Sequence, residues 1–264
     1  MFETYFKDYF KDFAQNSKSV WSCETGSVLL AAKEMYEATG GVDYYRNIVE
    51  YINFYIADDG TLINLNEESQ DAYVMGLGKI LCFLYEQDAK EKYKKALDVL
   101  VTHIRSMEDK YEELPLYLEF ETKFNEKENY NDVYRCMKNS REYFKDEAVS
   151  LECCAYDLLA LIDMYENSSE EVFEQHKQYS VWFKESLKAI LGREQKGIKE
   201  TAIIAYCILK GCRLGVLLQE KYQLLGEEMI CRLCGLDFAE IKAAQGVGTV
   251  AMAYAEYLRR LEIL

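Results

Sequence analysis

Apolar residues recur along most of this chain at helical spacing. Ala155, Leu158, Leu159, Ile162 and Tyr165 follow the i, i+3, i+4, i+7 order of one buried helix face. Read this way, the sequence predicts about twelve helical segments. They are Phe2–Asn16, Ser27–Ala38, Tyr44–Ile56, Glu67–Glu86, Lys90–Met107, Asn131–Phe144, Val149–Glu166, Glu170–Leu191, Lys199–Leu217, Lys221–Leu233, Phe238–Ala243 and Val250–Leu261. The third closes at Asp58-Asp59-Gly60, a stop suited to a left-handed residue. Glu112–Tyr130 shows no such order and is expected to be a loop, the longest irregular stretch and a natural place for function. No shift in composition marks a linker, so one domain is expected over residues 1–264.

A phrase repeats inside this pattern. Tyr36-Glu37 is followed by Tyr44, Tyr85-Glu86 by Tyr93, and Tyr165-Glu166 by Phe173, with the same aromatic spacing each time. A helix that ends, turns tightly and starts back leaves this signature, so the chain reads as stacked helical hairpins. Twelve helices in six hairpins match a closed all-α (α/α)6 toroid, a six-hairpin barrel, whereas an open solenoid would present a concave protein-binding face.

Composition narrows the choice of function. A single proline, Pro115, and 50% apolar residues favour long helices. Twenty-two tyrosines and twelve phenylalanines suit packing between helices, and also sugar clefts where flat rings meet. The net charge of −15 argues against nucleic acid or an anionic membrane as partner. Acidic runs such as Glu108-Asp109 and Glu112-Glu113 read as solvated faces. The N-terminus shows no apolar signal core and no stretch reaches a membrane span, so a cytoplasmic protein with nine reduced cysteines is expected. Cys231-x-x-Cys234 has no second pair and reads as helix-core cysteines. His103 and His176 stand apart from any cysteine motif, so no metal site is expected. Gly76-Leu77-Gly78-Lys79 lacks the spacing of a phosphate loop.

Six ordered blocks then carry a family likeness. Trp21-x-x-Glu24-x-Gly26 with Met35–Gly40 and Tyr44-Tyr45 opens the series. Asp58-Asp59-Gly60-Thr61, Gln70-Asp71 with Gly76-x-Gly78-Lys79, and Phe120–Asn125 with Tyr130-Asn131-Asp132-Val133-Tyr134 follow. Ala205–Gly211 and Gly246-Val247-Gly248 with Ala253–Tyr257 close it. Together they resemble glycoside hydrolase family 88/105, the unsaturated glucuronyl and rhamnogalacturonyl hydrolases of the six-hairpin class. The resemblance implies a short acidic oligosaccharide as substrate, its terminal uronic acid carrying a C4–C5 double bond. It implies hydration of that enol ether rather than displacement at the anomeric carbon, without metal or organic cofactor. It places Asp132 on the acid/base aspartate and Asp71 on its assisting partner. Trp21, Tyr130, Glu121 and Lys123 become candidate substrate contacts. Read without the family, Asp132 would be an N-cap, Asp71 part of a solvated face and Trp21 a core residue.

The sequence also departs from the family pattern. Where the family carries Trp-x-Arg-x-x-x-Trp, this chain reads Ser150-Leu151-Glu152-Cys153-Cys154-Ala155-Tyr156. Glu152 thus replaces an arginine that would meet a uronate. A catalytically degenerate relative, serving as a sugar-binding or assembly module, is the alternative reading.

Overall fold

The computed structural model describes residues 2–16, 21–64, 70–146, 148–194 and 197–261, with the side chains of residues 70–73 and 261 left aside. Among the described residues there are thirteen α-helices, and the only β pairing is an isolated bridge between Ile56 and Leu62. In order the helices are α1 (Phe2–Asn16), α2 (Cys23–Thr39), α3 (Val42–Ile52), α4 (Gln70–Asp88), α5 (Glu91–Ser106), α6 (Leu114–Phe124), α7 (Tyr130–Ser140), α8 (Leu151–Asn167), α9 (Phe173–Leu191), α10 (Ile198–Arg213), α11 (Gln219–Cys234), α12 (Phe238–Ala243) and α13 (Val247–Leu261).

Local chemistry explains the boundaries that hydrophobic spacing missed. α2 starts at Cys23 rather than Ser27 because Ser22-x-x-Thr25 forms a capping box. The Thr25 N–H donates to Ser22 Oγ at 3.2 Å, and the Ser22 N–H donates back to Thr25 Oγ1 at 3.3 Å. The helix stops at Gly40, whose φ of 66° lets its N–H reach the Tyr36 carbonyl. Most of the expected loop Glu112–Tyr130 is corrected to a helix, α6, with Pro115 in its first turn, and residues 125–129 remain a turn. Leu114, Leu116, Tyr117, Leu118 and Phe120 are all buried, so α6 is covered on every side and shows no polar stripe to read. Glu113, expected on a solvated face, is 4% exposed at the N-cap of this helix.

The helices form two compact units, Met1–Ser106 with Cys234–Leu264, and Met107–Leu233. In the first, α2 lies between α4 and α13, with α3 on α2, α5 on α4 and α1 on α3 and α13. In the second, α8 lies between α6 and α10, with α7 on α6 and α9 on α8. α11 rests on α10 through Gly226, where a Cβ would come within 2.9 Å of Leu209. Among the described residues the second unit holds six helices and the first seven, the short α12 resting on α13.

The repeated Tyr-Glu phrase has a physical basis in these pairs. At the end of α2, Arg259 of α13 reaches Glu34 at 2.6 Å and Glu37 at 2.8 Å. At the end of α8, Lys210 of α10 reaches Asp163 at 2.7 Å and Glu166 at 2.6 Å. Both sites are an acid three residues before the repeat glutamate, gripping a base from the adjacent helix. In the α4 copy that position is Phe83, whose ring meets Tyr36 and Tyr45 with Lys33 over it at 5.8 Å. The aromatic eight positions on is buried at Tyr44 and Tyr93 but 59% exposed at Phe173. His176 fills that role instead, its ring 4.3 Å from Tyr165 and its Nδ1 2.8 Å from Ser168 Oγ.

Candidate active site

Four of the sequence-predicted site residues lie on the α6–α7 pair. Asp132 is the third residue of α7, and the N-cap there is Asn129, so its carboxylate does not cap the helix. The carboxylate faces Lys110 Nζ at 3.2 Å and also pairs with Arg135 one turn on. Its side chain is 28% exposed, which leaves it open to a ligand. Lys110, only 10% exposed, lies over the Tyr117 ring at 5.8 Å. An accessible carboxylate flanked by two cations can accept or relay a proton while those cations meet an anionic substrate.

The other three residues make contacts of their own within and around this helix pair. Tyr130 is buried, and its hydroxyl accepts from the Ser169 N–H at 2.9 Å and shares a hydrogen bond with Thr122. Glu121 is wholly buried and accepts from the Asn129 N–H at 2.9 Å, Asn129 Nδ2 at 3.0 Å and Asn125 Nδ2 at 2.9 Å. Its charge thus organises the turn from α6 into α7. Lys123 pairs with Glu119 one turn back at 2.8 Å.

Trp21 and Asp71 belong to the other unit. Trp21 is 1% exposed, a core residue rather than a cleft wall, with its ring edge-on to Tyr55 at 5.2 Å. Asp71 is the second residue of α4, and its side chain lies outside the described residues. Cys231 and Cys234, expected in a core, are exposed and half-buried on α11. Among the described residues no group of three or more His, Cys, Asp or Glu could hold a metal ion, and no helix is long and apolar enough to cross a membrane.

Sequence reasoning missed a buried network beside this pair. Asp157, in α8, is 1% exposed and forms a two-pronged ion pair with Arg141. Tyr111, just ahead of α6, donates its hydroxyl to Asp157, and Ser186 of α9 donates to it at 3.1 Å. Burial first, and then the Asp157 charge, push the Tyr111 phenol far above its ordinary range and keep it a donor. No sequence pattern pointed to this network, since Asp157 lies outside the stripe of Ala155, Leu158, Leu159, Ile162 and Tyr165. Glu152, the residue in place of the family arginine, is paired with Lys199 at 2.8 Å.

The sequence profile of Glycosyl Hydrolase Family 88 matches residues 3–153, more than half of the chain. The chain belongs to glycosyl hydrolase family 88. Family membership makes it a glycosidase-type enzyme. Comparison with curated proteins finds no match. Solved structures agree with the family on fold. A family 105 glycoside hydrolase from C. acetobutylicum ATCC 824 superposes with a TM-score of 0.78 at 19% identity, over 98% of this chain and 99% of that one. A family 88 glycosyl hydrolase from Bacteroides vulgatus gives 0.71 at 12% identity, over 96% and 99%. A polysaccharide lyase gives 0.75 at 14% identity, over 99% and 98%. The fold of this family 88 chain is accordingly the all-α (α/α)6 toroid.

Proposed function

We propose that this enzyme hydrolyses short oligosaccharides ending in an unsaturated uronic acid. The observation that carries the reading is family membership together with Asp132, which lies within the matched stretch as an accessible carboxylate beside Lys110. In this reaction a carboxylic acid at position 132 protonates C4 of the enol ether. Water adds at C5, giving up its proton to the carboxylate just formed. The resulting hemiketal opens and releases the rest of the sugar, and the acid is restored. Asp71 assists by orienting substrate, and Lys110 receives the uronate carboxylate. No step calls for a metal or an organic cofactor. The Glu152–Lys199 pair supports activity over a degenerate site, because the misplaced negative charge is matched by a neighbouring cation rather than presented alone. The expected setting is the cytoplasm.

The test is absorbance of the conjugated uronyl group in lyase-generated unsaturated disaccharides. Wild type should bleach it, and Asp132→Asn should lose at least about a hundredfold in kcat, the usual worth of a general acid. Bleaching that survives the substitution would remove Asp132 from the role. The similarity to a polysaccharide lyase makes one further arm informative. On intact uronate polysaccharide a lyase creates the double bond, so absorbance would rise instead of fall and the hydrolase reading would fail.

A further inference from the structure

The second unit contains a cavity of about 560 Å³ that the proposed reaction does not use. Its walls come from the turn ahead of α8, from α8 and α9, and from the residues after α9. Asp132, Lys110, Tyr130, Glu121 and Lys123 are not among its lining residues. The volume falls within the range of small-molecule sites.

Its chemistry is asymmetric. Asp157 and Ser186 form one wall, and the Asp157 charge is already matched by Arg141. Phe144 offers an aromatic face whose other contacts include the Arg141 guanidinium, 5.0 Å from the ring centroid. Lys145 and Asp146 both line the rim, with Lys145 already paired with Glu142, so the positive charge left to meet a ligand is that of Arg193. Arg193 is half-buried, and its polar contact among the described residues is the sulfur of Cys154 at 3.4 Å. Thiol sulfur is a weak acceptor for a group with five donors. Burial pushes the Cys154 thiol up, more than the neighbouring guanidinium pulls it down, so the sulfur carries no charge to match Arg193 at neutral pH.

We propose that this cavity is a second binding site, for a carboxylate-bearing sugar unit, with Arg193 taking the carboxylate, Phe144 the ring face and Ser186 a hydroxyl. This extends the proposed function, since it names a uronate as ligand, but it rests on a different group of residues. The acidic unit could be a saturated residue of the substrate or a released product, and both present the same carboxylate and ring.

Titration calorimetry with sodium glucuronate, glucose and sodium acetate separates the contributions. Glucuronate should bind the intact protein, with glucose and acetate at least about tenfold weaker, since each lacks one of the two recognition elements. Arg193→Ala should weaken glucuronate about tenfold or more, and Arg193→Lys should restore part of the loss. Asp132→Asn should leave this binding unchanged while it abolishes turnover, and wild type that binds glucuronate but turns over no unsaturated disaccharide would count against the reaction and not against the cavity. Equal glucuronate affinity in wild type and Arg193→Ala, or no glucuronate binding to wild type, would overturn the proposal. Near-ultraviolet circular dichroism of each variant checks that the cavity walls stay packed.

Discussion

Asp157 shows what a single charge does when burial leaves it no water. Its partners Arg141, Tyr111 and Ser186 come from three separate segments, so one carboxylate ties α7, α9 and the approach to α6 onto α8. Replacing it by alanine strands a buried guanidinium, and the expected loss is about 3–5 kcal/mol in urea unfolding. A loss below about 1 kcal/mol would mean that the network is decorative. Glu166 gives a pH-dependent counterpart. Burial alone would raise its carboxyl, but Lys210 and then Arg213 outweigh that and hold it below the ordinary 4.5. Its folded value is depressed, so its contribution is present above the unfolded value near 4.5 and is lost as pH falls through the folded one. Lys210→Met should flatten the acid limb of a stability–pH curve measured between pH 3 and 6, roughly the span in which carboxylates titrate. Asp132 is singled out in the sequence because a motif surrounds it. Asp157 is not, because nothing in a single sequence says that Arg141 and Tyr111 fold back onto it.

At the scale of the helix, legibility followed amphipathicity. α1, α5 and α9 carry one buried face and were found close to their true ends. α6 is buried all round, so the pattern that reveals a surface helix was missing and only Pro115 hinted at its start. The glycines of the family blocks were read as a signature without a reason. The structure supplies one, a close crossing of α2 on α4. A Cβ on Gly76 would lie 2.9 Å from the Gly26 Cα, and Trp21 covers the crossing. The next residue, Ser27, meets Gly248 of α13 as tightly, with its carbonyl carbon 2.7 Å from where a Cβ would stand. Gly76→Ala must push two helix backbones apart, which should cost about 1–3 kcal/mol by thermal or urea unfolding. Gly215→Ala meets no atoms within 4 Å but has a φ of 70°, so it isolates the cost of backbone strain from that of crowding.

At the scale of the whole chain the net charge of −15 opposes an acidic substrate before any contact forms. Turnover of unsaturated uronyl disaccharides should therefore quicken with salt. kcat/KM is expected to climb as ionic strength goes from about 0.01 to 0.15 M, where the screening length shrinks from about 30 to 8 Å. A flat or falling profile would mean that the cations near Asp132 dominate the approach. Composition predicted this charge and the helical class well. It gave no sign of the two compact units, because the connection after Ser106 is short, has no glycine and reads as one more charged turn between helices.

The chain has two tryptophans, and the units hold one each. Trp21 is sealed, its indole N–H without a hydrogen-bond partner among the described residues, whereas Trp182 is half-buried and stacked on Tyr134 at 5.5 Å. The protein thus carries a built-in optical label on each half. Trp21→Phe and Trp182→Phe leave single emitters, the buried one bluer than its partner, and denaturant titrations of the two variants report on separate halves. Coincident midpoints would mark one cooperative body, and split midpoints would mark two that melt in turn.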